Sequence, residues 1–121
     1  MTFFTKSLGK LGEDLALNFL REKGFSILDQ NFSCKVGEID IIAKKEATLH
    51  FIEVKTRVGI QKGFPYEAVN THKIRHLKRA LQFYLLKKSI KESKLSLDVV
   101  SIILDNNYSI DKLDFFENIT Q

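Results

Sequence analysis

Hydrophobic and polar residues follow two different periods along the chain, and the switch between them predicts the order of the elements. From Ser7 to Gly24 the apolar residues recur every three or four positions, as on one side of an amphipathic helix. Ser7 is predicted to cap the start of this helix and Gly24 to end it. Three β-strands are predicted next, in the segments FSILDQNF, GEIDIIA and TLHFIEVKTR, of which the last two form a hairpin.

The second half of the chain predicts a further helix and a strand that complete a sheet. Pro65 is predicted to begin a long helix that runs through about Lys88, since proline suits a first helical turn. The segment LSLDVVSIIL is apolar at nearly every position, which predicts a strand buried on both faces. A terminal strand is predicted within residues 108–119. The order α-β-β-β-α-β indicates one α/β domain over residues 1–121, with a core of about 8–119, in which helices flank a mixed central sheet.

The predicted hairpin carries charged residues where aliphatic residues would be more stable. Side chains alternate along a strand, so Glu53 and Lys55 share one face. A turn centred between residues 46 and 47 would place Asp40 opposite Glu53 on that face. The alternative interpretation is a solvent-facing hairpin with cross-strand ion pairs.

A divalent metal would account for the carboxylates of this face, because two adjacent carboxylates repel each other unless a cation lies between them. Glu13 and Lys73 fall within or at the edge of the apolar arcs of their helices, and we expect both to point inward. Oxygen ligands favour Mg²⁺, with Mn²⁺ as a substitute. Asp40 and Glu53 are the predicted ligands, with the peptide carbonyl of Val54 as a further one.

A metal held in this way suits phosphodiester hydrolysis, in which Lys55 would orient the attacking water or stabilise charge on the phosphorus. The net charge is +4, but residues 72–94 hold eight Lys or Arg and one acid, so that segment is +7 and the remainder −3. A concentrated basic face predicts a polyanionic partner, although a solvated helix face has the same composition. The predicted nucleic-acid contacts are Arg57, Lys73, Arg75, Lys78 and Arg79.

The first residues of the chain, its cysteine content and its histidines predict where the protein is located and argue against a zinc site. The start of the chain lacks the apolar core of a secretory signal, and Cys34 is the only cysteine, which together predict a cytoplasmic protein. His72 and His76 are four residues apart but have no obvious third ligand for zinc. Tyr66, Phe83 and Tyr84 are interpreted as packing residues.

The motifs GEIDIIA and FIEVKTR resemble the Asp…Glu-x-Lys core of the PD-(D/E)XK nuclease superfamily. With GEDLALNFL, GFPYEAVNTHKIRHL and LDVV, the chain more closely resembles the YraN-like family of small bacterial proteins, described as predicted endonucleases distantly related to Holliday-junction resolvases. The resemblance implies a restriction-endonuclease-like fold, metal ligation by Asp40 and Glu53, and a catalytic role for Lys55. It also implies that Glu13 completes the site and that Lys73 contacts the scissile strand. Ile39 replaces the proline of the superfamily's Pro-Asp pair.

The predicted function is a Mg²⁺-dependent endonuclease acting on DNA, with branched or otherwise structured DNA as a candidate substrate and a homodimer suggested by analogy with junction-cutting relatives. The alternative is a nucleic-acid-binding module that has the same fold and little or no turnover. A third interpretation is an adaptor whose basic helix binds an acidic protein.

Overall fold

The computed structural model describes the backbone of residues 3–120 and the side chains of residues 7–120. Residues 1, 2 and 121, which the predicted domain includes, lie outside the described residues. The elements in chain order are α1 (Phe3–Glu22), β1 (Ser26–Cys34), β2 (Gly37–Lys45), β3 (Thr48–Val58), a 3₁₀ turn (Pro65–Ala68), α2 (Thr71–Lys87), β4 (Lys94–Leu104) and β5 (Ile110–Phe116). Neither α1 nor α2 is long and apolar enough, within the described residues, to cross a membrane.

The strands form one mixed sheet in the order β1-β2-β3-β4-β5. Strands β3 and β4 are parallel, and the other neighbouring pairs are antiparallel. The parallel pair follows from the connection between them, because α2 lies between β3 and β4 in the chain and carries it back along the sheet. The predicted α/β class, the mixed sheet and its flanking helices are confirmed, and the arrangement is consistent with a restriction-endonuclease-like core.

The two helices pack on opposite faces of the sheet. The cluster on the α1 side is formed by Ala16, Leu17, Leu20, Phe25, Ile41, Ala43, Ile52, Val100, Ile102 and Leu104. The cluster on the α2 side is formed by Ile39, Ile42, Leu49, Phe51, Leu77, Ala80, Leu81, Tyr84 and Leu97. The middle of β4 contributes to both clusters, which confirms the prediction that this strand is buried on both faces.

Two predicted helix boundaries are wrong. Ser7 lies inside α1 and does not cap it. Pro65 begins a 3₁₀ turn of four residues, and α2 begins only after Asn70, whose side chain accepts a hydrogen bond of 3.0 Å from the backbone N–H of Lys73. Asparagine is a strong N-cap, so it ends the irregular segment and starts a new helix where the pattern alone suggested one continuous helix. The predicted end of α1 is confirmed, because Gly24 adopts a φ of 91° there.

Gly12 sets how closely α1 approaches β3. A Cβ atom at this position would lie 1.8 Å from Oγ1 and 2.8 Å from Cβ of Thr56, whereas a Cβ at Gly9 would meet nothing within 4 Å. Rotating the Thr56 side chain cannot move its Cβ, so a larger residue must push the helix away from the sheet. Glu13 follows Gly12 directly, and its position over the sheet therefore depends on this close contact.

We expect Gly12→Ala to lower the free energy of unfolding by about 1–3 kcal/mol, the usual effect of overpacking. Gly9→Ala is the matched control, and should raise it by about 0.5–1 kcal/mol because alanine favours the helix. Urea denaturation of the two variants beside the wild type measures both effects. Equal stabilities of the two variants would show that α1 can move away from β3 without cost.

Candidate active site

A cleft lies where the backbone pairing between β2 and β3 ends. Strands β2 and β3 pair from Lys45 and Thr48 to Ile41 and Ile52, which confirms the predicted register and a turn at residues 46 and 47. The backbone pairing between these two strands ends at Ile41 and Ile52, although both strands continue. The first residues of β2 remain paired with β1, while β3 remains paired with β4 along its length. The sheet therefore divides at this point, and Asp40 and Glu53 are the first residues past the division.

The side chain of Asp40 accepts a backbone hydrogen bond from β3 at the point where β2 and β3 are no longer paired. Its Oδ2 atom accepts a bond of 2.8 Å from the backbone N–H of Val54. Ile39 packs on the α2 side and Ile41 on the α1 side, so the strict alternation predicted for β2 is broken at Asp40. This break turns the carboxylate towards the neighbouring strand. The N–H and carbonyl of one strand residue point to the same side, so the carbonyl of Val54 is also directed towards Asp40.

Burial and a second carboxylate make this part of the cleft unfavourable for negative charge. Asp40 is 7% exposed and Glu53 is 3% exposed, so the alternative of a solvent-facing pair is wrong. Burial, then the adjacent Glu53, and to a smaller extent Glu13, raise the pKa of Asp40 to about 9, against the opposing hydrogen bond from Val54. Without a metal ion, the cleft therefore favours the protonated form of Asp40 over a second negative charge beside Glu53.

Lys73 supplies positive charge to Glu53. Its Nζ atom lies 3.0 Å from Oε2 of Glu53, close enough for an ion pair. The same oxygen is buried and accepts no hydrogen bond from the described residues, because the ammonium group is near it but poorly aligned. Lys73 thus points inward as predicted, and Glu53 retains an oxygen that could accept a further ligand.

The remaining predicted members of the site lie along the same cleft, which encloses about 470 Å³. Lys55 and Val54 line it from β3, and Glu13 lines it from α1. Burial raises the pKa of Glu13, while a hydrogen bond with the side chain of Asn31 opposes the shift. The residues that line the cleft are Leu8, Gly9, Lys10, Glu13, Asn31, Glu38, Asp40, Glu53, Val54, Lys55, Thr56 and Lys73.

Asn31 is a member of the cleft that the sequence analysis missed. It has a φ of 51° in the middle of β1, a left-handed conformation that is uncommon for a residue other than glycine. Its neighbours Gln30 and Phe32 pair with Ile41 and Ile39, so Asn31 lies beside Asp40 in the register. Asparagine tolerates the left-handed conformation better than most residues, and its side chain helps to hold Glu13. Only the three-dimensional structure brings residues 13, 31 and 40 together.

The other predicted nucleic-acid contacts lie outside the cleft. Arg57 shares the sheet face of Lys55, but its guanidinium donates a hydrogen bond to the carbonyl of Lys62 and so anchors the loop after β3. Arg75, Lys78 and Arg79 are exposed on the outer side of α2, where they line a separate groove of about 400 Å³ beside the start of β4. Their contacts with phosphates stay predictions.

The cleft contains oxygen atoms of the kind that bind a hard metal ion such as Mg²⁺. Within residues 7–120, no three Asp, Glu, His or Cys side chains are already gathered as a metal-binding group. Mg²⁺ commonly uses only one or two carboxylates together with waters. Asp40 and Glu53 supply these, Oε2 of Glu53 accepts no hydrogen bond from the described residues, and the carbonyl of Val54 belongs to the residue whose N–H Asp40 binds. The donor set therefore fits a site with two carboxylates and one carbonyl.

Asp98, which had no predicted role, belongs to a different part of the protein. It is fully buried, and its carboxylate accepts hydrogen bonds from Nδ1 of His50 at 2.5 Å, from Oγ of Ser96 at 2.5 Å and from the backbone N–H of Asn118 at 2.9 Å. The serine donates to the aspartate and not to the histidine, so these residues do not form a nucleophilic triad. The network instead fastens the segment after β5 to β4, on the side of the sheet where Phe25 contacts His50.

Comparison with known proteins places the chain in a protein family. Residues 12–102 match the model of Uncharacterised protein family UPF0102. A UPF0102 protein of Caldicellulosiruptor saccharolyticus is 38% identical over 113 residues, which cover 93% of this chain and 96% of the relative. UPF0102 proteins of Clostridium tetani and Dictyoglomus thermophilum are each 44% identical, over 111 and 105 residues. The residues that match the family model include the second half of α1, the hairpin, α2 and most of β4, and we conclude that the chain belongs to the UPF0102 family.

Proposed function

We propose that this protein is a metal-dependent endonuclease of the PD-(D/E)XK type that hydrolyses phosphodiester bonds in DNA. The observation that carries the proposal is the convergence of Asp40 and Glu53 at the fork between β2 and β3, with Lys55 in the same cleft. Two buried carboxylates at one place are costly for folding, and a divalent cation between them removes the repulsion. The order of these residues also matches the Asp…Glu-x-Lys motif of the superfamily.

The residues of the cleft would have different roles in this hydrolysis. Mg²⁺, or Mn²⁺ in its place, would polarise a phosphate oxygen and lower the pKa of a water when bound by Asp40, Glu53 and the carbonyl of Val54. Lys55 would orient the attacking water and stabilise the charge that develops on the phosphate. Glu13, held by Asn31, would fix the outer side of the cleft.

Lys73 has a dual role in this proposal. In the metal-free protein its ammonium group neutralises Glu53, as the distance of 3.0 Å indicates. Its side chain is 33% exposed at the mouth of the cleft, so it could turn towards a phosphate of the scissile strand when a metal takes its place. The exposed basic residues of α2 would hold more distant phosphates, and the affinity would then fall as the salt concentration rises.

Nuclease assays on a panel of substrates test the proposal. Linear duplex, flapped, single-stranded and four-way-junction DNA would be incubated with the protein in Mn²⁺ and in EDTA, beside the Glu53→Ala variant. We expect the wild type to cut at least one substrate in Mn²⁺ only, and Glu53→Ala to cut none. Cutting that persists equally in EDTA or in the variant would indicate a contaminant or a different site and would refute the assignment.

The ion pair between Lys73 and Glu53 favours one alternative, a nucleic-acid-binding module with little or no turnover, because it satisfies much of the negative charge without a metal. The same panel distinguishes this function. A binding module would shift the substrates in a gel equally in EDTA and in Mn²⁺ and would cut none of them.

A further inference from the structure

Three aromatic rings, two of them exposed, form a cluster that the proposed reaction does not use. The rings of Phe64 and Tyr66 are stacked, with centroids 5.5 Å apart and an angle of 12° between their planes. Phe116 meets Tyr66 edge-on at 5.2 Å. Tyr66 and Phe116 are each 38% exposed, so Tyr66 packs against its two neighbours as predicted but leaves part of its ring open, whereas Tyr84 is buried. We refer to Phe64, Tyr66 and Phe116 as the aromatic platform.

The platform lies on the same face of the sheet as the carboxylate of Glu53. Glu53 pairs with Val99 of β4, and Val99 pairs with Phe116 of β5. Residues paired directly across strands point to the same face. Glu53 and Phe116 are therefore separated by two strand spacings, about 10 Å. A stacked nucleic-acid strand advances about 3.4 Å per nucleotide, so this distance corresponds to about three nucleotides.

The loop that carries the platform is held in place before any ligand arrives. The guanidinium of Arg57 donates to the carbonyl of Lys62, and the backbone N–H groups of Glu67 and Val69 donate to the carbonyls of Phe64 and Tyr66 at 3.1 Å and 3.0 Å. Pro65, which separates the two stacked rings in the chain, is buried. Little conformational freedom is therefore lost when a flat ligand stacks on the platform, which favours binding.

We infer that the platform binds unpaired bases of a nucleic-acid strand whose phosphates pass through the cleft. The inference rests on the proposed function and adds the substrate class, a nucleic acid with a single-stranded region beside the cut. Aromatic rings stack on any base, so the contact would be tolerant of sequence. Paired bases inside a duplex cannot offer their faces, so the platform would select for strands that are open near the cleft.

Binding measured without catalysis tests the inference. A fluorescent single strand and an abasic strand of the same length, which has the same phosphates but no bases, would be titrated in EDTA at low salt. We expect the wild type to prefer the base-bearing strand, and Tyr66→Ala to lose about tenfold in affinity for it, because stacking on one ring contributes on that scale. The affinity of Tyr66→Ala for the abasic strand should stay that of the wild type.

Two further variants make the result specific. Phe83→Ala removes a ring of similar exposure, 41%, from α2, away from the platform, and should not change the preference for bases. Tyr66→Leu keeps an apolar side chain over the loop, and should lose the preference while unfolding at the wild-type temperature. Three results would each overturn the inference. The first is a Tyr66→Ala variant that loses the same affinity for the base-bearing strand and for the abasic strand, and the second is a Phe83→Ala variant that loses as much preference for bases as Tyr66→Ala. The third is a wild-type protein that shows no preference for the base-bearing strand. A base-dependent affinity without any cleavage in Mn²⁺ would uphold the platform and refute the nuclease.

Discussion

Replacing Lys55 by methionine should lower the rate of DNA cleavage about 10²–10³-fold, the usual loss when one group that stabilises transition-state charge is removed. Methionine has a similar length but no charge. The carboxylates of Asp40 and Glu53 remain in place, so we expect Mn²⁺ to bind as tightly as in the wild type. Single-turnover cleavage and calorimetric titration of Mn²⁺ measure the two effects separately.

Lys10→Met provides the matched control for this prediction. Lys10 lines the same cleft from α1, but its side chain is 76% exposed and pairs with Asp14 at 3.0 Å. An exposed pair within a helix contributes little, so the variant should cut DNA at nearly the wild-type rate. Equal losses in the two variants would mean that Lys55 acts only through the overall charge of the cleft.

Replacing Asp40 by asparagine should stabilise the metal-free protein at high pH and abolish its stabilisation by metal. Folding raises the pKa of Asp40 from its usual 3.8 to about 9, chiefly through burial and then through Glu53. The folded state therefore holds this proton more tightly than the unfolded state does. The resulting stabilisation is complete below about pH 4 and is lost progressively as the pH rises to about 9.

Asparagine carries no such titration and can still accept the hydrogen bond from Val54. We expect Asp40→Asn in EDTA near pH 9 to be more stable than the wild type by roughly 1–3 kcal/mol, with the difference shrinking as the pH falls. Saturating Mg²⁺ should reverse the order, since a ligand at a hundred times its Kd stabilises the wild type by about 2.7 kcal/mol and the variant has lost a ligand. Thermal unfolding across this pH range, with EDTA and with Mg²⁺, measures both differences.

A conservative variant at a buried acid outside the cleft controls for a general effect of removing charge. Asp98→Asn changes a fully buried carboxylate that has three hydrogen bonds and no carboxylate neighbour in its network. It should destabilise the protein with or without Mg²⁺, because the serine, the histidine and the backbone of Asn118 all donate to this group. If Asp40→Asn were less stable than the wild type in EDTA near pH 9, the carboxylates of Asp40 and Glu53 would not repel each other in the cleft.

The hairpin shows how far a sequence pattern can predict a site. The polar segment between GEIDIIA and TLHFIEVKTR contains the turn that would place Asp40 opposite Glu53, and this condition predicts the register. The pairing of Ile41 with Ile52 confirms it. The inward direction of Lys73 likewise followed from its angle on the helix, since a helix places residues on its faces at regular intervals.

The helix after β3 shows where the pattern alone was insufficient. The apolar period predicts one helix from Pro65, but Asn70 is a strong N-cap and the helix begins only after it. The delayed start leaves the loop of residues 59–64 and the 3₁₀ turn on the α2 side of the sheet, held by Arg57. Phe64 and Tyr66 of the aromatic platform belong to this segment, which is not α-helical.

Local sequence by itself determined most of the elements, their order and the inward direction of Glu53 and Lys73, because these depend on backbone periods and on the burial of apolar area. Tertiary structure alone decided where the ladder between β2 and β3 ends, that Asn31 meets Glu13, and that Phe116 lies in line with Glu53. Those contacts join residues far apart in the chain. Their free energies depend on how helices and strands pack together, which no single segment encodes.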